Sequence, residues 1–185
     1  MRMEVHLHAD IPMIEGVSKK QIEHALAPLL DYLDAEGLGD VKSLEQEEPG
    51  LRYDEKELMF LMCWTGEIGR GFHPALDAAL ESLGPLCFEA VEVELTLYLE
   101  NGEQESRLLF VGPTAQAIHE AQRRCMIEDV SALLARQFSK ERVAEVVAMV
   151  DGLFEQDWKE HASDATKKPE RAFETATRPS RKHLH

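Results

Sequence analysis

The sequence predicts an α+β fold with a largely antiparallel sheet. Residues 3–111 alternate short β-type runs with two amphipathic helical runs, in the order β-α-β-β-α-β-β. An Asn101-Gly102 pair, which is the preferred pair of a type I′ turn, separates two alternating runs and predicts a β-hairpin. Two longer helical runs follow Pro113. Strands and helices segregated in this way are typical of the α+β class.

The order β-α-β-β-α-β resembles the ferredoxin-like split βαβ unit. We therefore expect a ferredoxin-like core with an extra hairpin strand and a C-terminal helical hairpin. Residues 1–112 should supply the sheet and two helices, and residues 113–160 the helix pair, as a single α+β domain over residues 1–160. Residues 161–185 are basic and poor in apolar side chains. Such a segment cannot bury enough surface to offset its ordering entropy, so we predict a disordered tail.

Local signals define the first elements. Residues 3–9 alternate apolar and polar side chains, which predicts a half-buried first strand. Ser18, with Gln21 three positions later, forms a capping box that starts the first helix. Pro28 lacks an amide N–H, so the helix should kink or break there. Residues 41–47 predict a short polar edge strand.

The following elements are defined by apolar runs and by helix-terminating residues. Residues 57–65 (ELMFLMCWT) are apolar on both faces and predict a strand covered on both sides. Pro74 and Gly84 bound a second helix. Apolar stripes at helical spacing then predict helices over residues 114–137 and after Ser139.

The predicted hairpin has a definite register. A two-residue loop at Asn101 and Gly102 places Leu95 opposite Leu108 on the inner side of the sheet. We call this inner side the first face of the sheet and the opposite side the second face. Leu109 then lies on the second face, together with other apolar side chains. So much exposed apolar surface is unusual in a monomer and indicates that another surface covers it.

The formal net charge of −15 is unevenly distributed. Residues 166–185 hold six Lys or Arg and two Glu, a contribution of +4, which leaves −19 for residues 1–165. A body this acidic repels phosphate backbones and anionic membrane surfaces, so we expect neither direct nucleic-acid binding nor membrane binding. The same acidity leaves open a nucleic-acid mimic that occupies the binding cleft of another protein.

Cysteine usage and the first residues indicate the compartment. Cys63, Cys87 and Cys125 are widely spaced and odd in number, which predicts thiols buried in the core rather than disulfides. The N-terminal sequence MRMEVHLHAD lacks the apolar region of a secretory signal. No apolar run approaches the roughly 20 residues of a membrane span. We therefore expect a cytoplasmic protein.

A His-x-His pair on the first strand is the strongest candidate for a chemical site. His6, His8 and Asp10 share one face of a strand, because residues two apart point the same way. Paired imidazoles of this kind can chelate a metal ion. The expected strand order brings the strand of Glu92 and Glu94 alongside, and we take Glu94 as the fourth ligand. The alternative is a set of His–Glu pairs across the strands without a metal.

Two function classes follow, besides the mimic. We find no recognisable catalytic or cofactor motif, and the second sheet face is apolar, which favours a non-enzymatic protein-binding or regulatory module. Its partner would be another protein or a second copy of the chain, and no cofactor is expected. The alternative is a metal-dependent enzyme or metal binder that uses His6, His8 and Asp10.

Overall fold

The structure, a computed structural model, describes residues 3–99, 101–164 and 177–178. It confirms the α+β class, because the described residues form an antiparallel sheet of five main strands and a two-residue sixth strand, together with five α-helices. In chain order the elements are β1 (Met3–Pro12), α1 (Lys19–Ala25), α2 (Ala27–Tyr32), β2 (Gly50–Asp54), β3 (Met59–Ile68), α3 (Phe72–Leu83), β4 (Val91–Tyr98), β5 (Gln104–Val111), α4 (Ala115–Leu134) and α5 (Lys140–Asp164). A two-residue strand, β6 (Thr177–Arg178), pairs with β5.

The sheet is ordered β2-β3-β1-β4-β5-β6, and each neighbouring pair is antiparallel. Strand β1 is interior: it pairs along its whole length with β3 and over residues 4–8 with β4. It extends three residues beyond the predicted strand, to Pro12. The alternation predicted for this strand is confirmed, since Val5, Leu7 and Ile11 are fully buried while His8 and Asp10 are exposed.

Helices α1, α2 and α3 contribute to a hydrophobic core with the first face of the sheet. The apolar side chains of β1, β3 and β4 join the buried residues of these helices in one cluster. The fully buried residues in these helices, and at the junction of α1 and α2, are Ile22, Leu26, Leu29, Phe72, Leu76, Ala79 and Leu83. The spacing of these residues follows the helical repeat, so the predicted apolar stripes are the ones that form the core.

Helix α1 begins and ends as the sequence indicates. The backbone N–H of Ser18 donates to Oε1 of Gln21 at 2.9 Å, within the predicted capping box. The helix ends at Ala25, and α2 begins at Ala27 with Pro28 in its first turn. The predicted break at the proline is confirmed, because proline fits a first turn but cannot continue a helix.

The second strand is not where the sequence predicts it. Residues 41–47 are not a strand, and β2 comes later, over Gly50–Asp54. Residues 41–49 instead bond to β3 at separate points: the Leu44 N–H donates to the Thr65 carbonyl at 2.8 Å, and the Trp64 indole N–H donates to the Lys42 carbonyl at 3.0 Å. We call residues 41–49 the anchored segment. Its polar alternation resembles that of an edge strand, which explains the wrong prediction.

The predicted hairpin register is also wrong, by one residue. Leu95 faces Arg107 rather than Leu108, and Val93 faces Leu109. The N–H of Leu99 donates to the carbonyl of Glu103 at 2.9 Å, so three residues separate the strands at the turn. A one-residue shift turns every side chain of β5 over.

The turn itself gives the reason for the shifted register. Gly102 has a φ of +79°, and its N–H donates to the Leu99 carbonyl at 2.9 Å, so the glycine ends the turn, whereas the predicted type I′ turn has it at a central position. The Asn101 side chain instead accepts the Glu103 N–H at 3.0 Å. Leu108 and Phe110 consequently lie on the second face, in place of Leu109 and Val111.

Helices α4 and α5 form the predicted antiparallel pair. The ring of His119 lies 5.5 Å from that of Phe154 and 4.8 Å from that of Trp158. One helical turn further on, Arg123 forms an ion pair with Asp151. From His119 onward the helix pair is a compact unit of its own, separate from the unit that contains the sheet.

Two predictions about the chain termini and domains stay predictions. One is the single domain over residues 1–160. The other is the disordered tail over residues 161–185, most of which lies outside the described residues. Within the described part of the chain, no helix combines the length and apolarity needed to cross a membrane.

Truncating Leu76 should destabilise the sheet unit. This residue of α3 has no exposed surface, so Leu76→Ala leaves a cavity that should cost about 2–5 kcal/mol. Urea unfolding followed by circular dichroism measures the loss. Asp77→Ala, at the exposed neighbouring position, is the control and should change stability by less than about 0.5 kcal/mol. Equal losses in the two variants would contradict the assigned core.

Gly50 should be hard to replace. It has a φ of +72°, and a Cβ there would lie 2.6 Å from the Val41 carbonyl oxygen. We expect Gly50→Ala to lower the free energy of unfolding by about 1–3 kcal/mol, because the backbone must leave this conformation or the anchored segment must move. Gly39→Ala meets no atom within 4 Å and is the matched control. A Gly50→Ala protein as stable as this control would refute the constraint.

Candidate metal centre

Two histidines project from the second face of β1. His6 and His8 are two residues apart on the strand and therefore point to the same side of the sheet. Their rings are nearly parallel, with planes 9° apart and centroids 6.3 Å apart. His6 is half-buried and His8 is exposed. The predicted pair of imidazoles is therefore present on a face that solvent reaches.

Cys63 completes a cluster of three donor atoms. In the antiparallel pairing of β1 and β3 it lies directly opposite His8. One ligand atom from each of His6, His8 and Cys63 lies within 4.8 Å of the other two. Two imidazole nitrogens and a thiolate sulfur are donor types that zinc binds in proteins. The three side chains thus come from two neighbouring strands whose backbone pairing fixes their separation.

The position of Cys63 corrects the sequence interpretation, which placed all three thiols in the core. Cys63 is half-buried on the second face, and Cys125 in α4 is half-buried as well. The pKa of the Cys63 thiol is raised, mainly by partial burial and to a smaller extent by the negative charges of Glu48 and Asp10. Cys87 is buried as predicted, and desolvation raises its pKa to about 12. A protonated buried thiol is inert, so Cys87 has no place in a chemical site.

Glu48 of the anchored segment contacts His6. One carboxylate oxygen, Oε1, lies 3.1 Å from Nδ1 of His6. Thr65 lies on β3 directly opposite His6. Its hydroxyl oxygen lies 2.9 Å from Nδ1 of His6 and donates to Glu48 Oε1 at 3.0 Å. The side chains of His6 and Glu48 are only 27% and 16% exposed, so this contact is partly shielded from water.

Ser43 holds the carboxylate from its other side. Its hydroxyl donates to Oε2 of Glu48 and accepts the backbone N–H of Thr65 at 2.9 Å. Glu48 therefore has a partner on each oxygen, and the anchored segment is tied to β3 at the position next to the cluster. A carboxylate with this many partners is held in one orientation.

The predicted carboxylate ligands lie near the cluster but are not members of it. Asp10 shares the face of His8 and sits opposite Leu61, close enough to raise the pKa of Cys63. Glu94 of β4 pairs directly with His8. Glu92 is two residues away on the same strand. The ligand set of His6, His8, Asp10 and Glu94 stays a prediction, and the geometry brings together His6, His8 and Cys63 instead.

Sequence reasoning missed Cys63 and Glu48 for identifiable reasons. Cys63 lies in a run that is apolar on both faces, so it gave no sign of belonging to the polar side. Glu48 directly follows residues 41–47, which the sequence predicts to be a strand, and no neighbouring residue links it to the histidines. The register of β3 against the His-x-His strand was the signal that could have found Cys63, since His8 and Cys63 are direct cross-strand neighbours.

Comparison with known proteins assigns the chain to a family without assigning it a function. No curated protein and no solved structure matches the sequence. Residues 3–155 match the sequence profile of a family of unknown function, DUF6806. The match includes strands β1 to β5, helices α1 to α3, the three donor residues and most of the helix pair. The chain therefore belongs to the family of unknown function DUF6806.

Proposed function

We propose that this protein binds a transition-metal ion at His6, His8 and Cys63. The observation that carries the proposal is the approach of the three donor atoms to within 4.8 Å of one another. All three residues are on paired strands rather than on a loop, so the donor atoms are brought together before any ion arrives. The sheet thereby lowers the entropic cost of assembling the ligands.

The donor set favours zinc or copper over magnesium or calcium. Magnesium and calcium require oxygen ligands, whereas imidazole and thiolate suit the later first-row metals. Three protein ligands leave a fourth position in a tetrahedral shell, as in catalytic zinc sites. The exposure of His8 supports access of water or a small ligand to that position. We therefore propose an open site that binds a metal and a further ligand, in keeping with a metal-dependent enzyme or metal binder.

Metal titrations of the tag-free full chain test this function. Calorimetry with Zn²⁺ should show one ion bound per chain, and Co²⁺ should give a thiolate-to-metal charge-transfer band. Cys63→Ser should remove that band, because it removes the coordinating thiolate. The His6→Ala, His8→Ala double variant should remove stoichiometric binding, because it removes both imidazole ligands.

Matched variants away from the site control for non-specific binding. His24 is exposed on α1 and Cys125 is half-buried on α4, so His24→Ala and Cys125→Ser should leave both readouts unchanged. Absence of stoichiometric binding in the wild-type chain would refute the proposal. Equal binding by the double histidine variant would place the metal elsewhere.

A second proposed role is protein binding by the helix pair, through association with a second copy of the chain. Large apolar side chains remain exposed on both helices: Met126 and Leu133 on α4, and Val146, Met149 and Leu153 on α5. Leu133, Met149 and Leu153 are each more than 60% exposed. At about 100° per residue, the two sets lie on one flank of the antiparallel pair, beside the seam formed by His119, Phe154 and Trp158.

Charge favours a second copy as the occupant of this flank. Residues 115–160 hold six basic and nine acidic residues, a net charge of −3. Residues 1–114 hold eight basic and 23 acidic residues, a net charge of −15. Two copies that meet through their helix pairs experience much less mutual repulsion than two copies that meet through their sheets. Two helix pairs joined by apolar flanks would form a four-helix bundle.

Charges placed on the apolar flank should dissociate the dimer. We expect light scattering to give a dimer mass for the wild-type chain and a monomer mass for the Met149→Glu, Leu153→Glu variant, because burying two carboxylates there is unfavourable. The control is Ala144→Glu, Ala148→Glu, which adds the same charge to exposed positions on the opposite flank of α5 and should remain dimeric. A monomeric wild-type protein would refute this interface.

Two finer assignments belong with these proposals. We propose a ferredoxin-like topology for residues 3–98, supported by the strand order β2-β3-β1-β4 with α1 and α2 between β1 and β2, and α3 between β3 and β4. We also propose a cytoplasmic location. It is supported by the cysteines, since all three lie in the described residues and none forms a disulfide, and by a site that needs a reduced thiol.

A further inference from the structure

The hydrogen bonds around Glu48 determine which of the surrounding groups donate. Oε1 of the carboxylate accepts from the Thr65 hydroxyl, and Oε2 accepts from the Ser43 hydroxyl. An ionised carboxylate has no hydrogen to donate, and a hydroxyl has one. Because Thr65 uses its hydrogen on Glu48, its oxygen can only accept from His6. Both groups that face Nδ1 of His6 are therefore acceptors.

This arrangement assigns the hydrogen of the His6 ring. Nδ1 lies 2.9 Å from Thr65 Oγ1 and 3.1 Å from Glu48 Oε1, and two acceptors at these distances require a donor between them. In a neutral imidazole, one nitrogen carries the hydrogen and the other carries the lone pair. With the hydrogen on Nδ1, the lone pair of His6 is on Nε2.

We infer that Glu48 is the positioning residue of the metal site, which makes His6 bind the ion through Nε2. The inference rests on the proposed metal-binding function. A histidine that binds a metal through one ring nitrogen commonly donates its other N–H to a carboxylate, which fixes the tautomer and ring orientation and strengthens the ligand. Glu48 is the carboxylate that faces Nδ1–H of His6, and the Thr65 hydroxyl oxygen is a second acceptor of the same hydrogen.

The anchored segment supplies the rigidity that this role requires. Ser43 accepts the Thr65 N–H at 2.9 Å, and Leu44 donates to the Thr65 carbonyl at 2.8 Å, so both backbone groups of Thr65 are bonded to the segment that carries Glu48. Thr65 is itself 4% exposed. The carboxylate is consequently fixed relative to β3 and to the strand pairing that sets His6.

The ring tautomer can be measured without any metal. In the ¹⁵N-labelled, metal-free full chain, long-range ¹H–¹⁵N correlation at alkaline pH should show His6 as the Nδ1–H tautomer. In Glu48→Ala the Thr65 hydroxyl loses its acceptor and can donate to Nδ1, so His6 should change to the Nε2–H tautomer. Glu47→Ala, at an exposed position next in sequence, is the matched control and should keep the wild-type tautomer.

Zinc titrations of the same proteins measure the consequence for binding. We expect the dissociation constant of Glu48→Ala to rise by about 10–100-fold and that of Glu47→Ala to stay unchanged. The cobalt charge-transfer band should persist in Glu48→Ala, because Cys63 remains a ligand. Loss of this band would indicate a general collapse of the site and would overturn a positioning role.

The outcomes separate this inference from the proposed function. Nε2–H at His6 in the wild-type chain overturns the inference whatever the metal results. A changed tautomer with an unchanged dissociation constant also overturns it. A wild-type chain with the Nδ1–H tautomer but without zinc binding refutes both the metal-binding function and the positioning role, while the hydrogen-bond arrangement stands. If Glu48→Ala fails to fold, the wild-type tautomer still decides whether the arrangement exists.

Discussion

Strand β1 is the element on which both the core and the candidate site depend. It pairs with β3 on one side and β4 on the other, so its register fixes the neighbours of each of its side chains. Because side chains alternate along a strand, burial of Val5, Leu7 and Ile11 places His6 and His8 on the opposite face. The two imidazoles cannot leave that face unless the apolar side chains leave the core. Hydrophobic packing therefore sets the position of the proposed ligands.

The anchored segment is held by a different kind of force. Apart from Val41, which is buried in the core, it bonds to β3 through polar contacts at Lys42, Ser43 and Leu44. Each such hydrogen bond contributes only about 0.5–1.5 kcal/mol net, so the segment depends on several of them acting together. Gly50 closes the segment with a positive φ and brings its backbone against Val41. Metal binding and local order should consequently be coupled here, because the same contacts serve both.

Sequence patterns predicted the elements that depend on local signals and failed where distant contacts decide. The Ser18 cap, the break at Pro28 and the alternation of β1 are encoded within a few residues, and each is present. The second strand and the hairpin register depend on bonds between separated segments, which neighbouring residues cannot reveal. The same limit explains the site: the His-x-His pair is local, whereas Cys63 and Glu48 reach it only through the pairing of β3 and the fold of the anchored segment.

The distribution of charge gives the two units different capacities. The excess of 15 negative charges in residues 1–114 produces a field that repels phosphates and attracts cations, so a metal ion approaches the unit that carries the donor cluster. The same field opposes contact between two sheet units. The helix pair has a net charge of only −3 over residues 115–160 and exposes apolar side chains. Association through the helices therefore uses the less acidic of the two units for the contact, where mutual repulsion between copies is weaker.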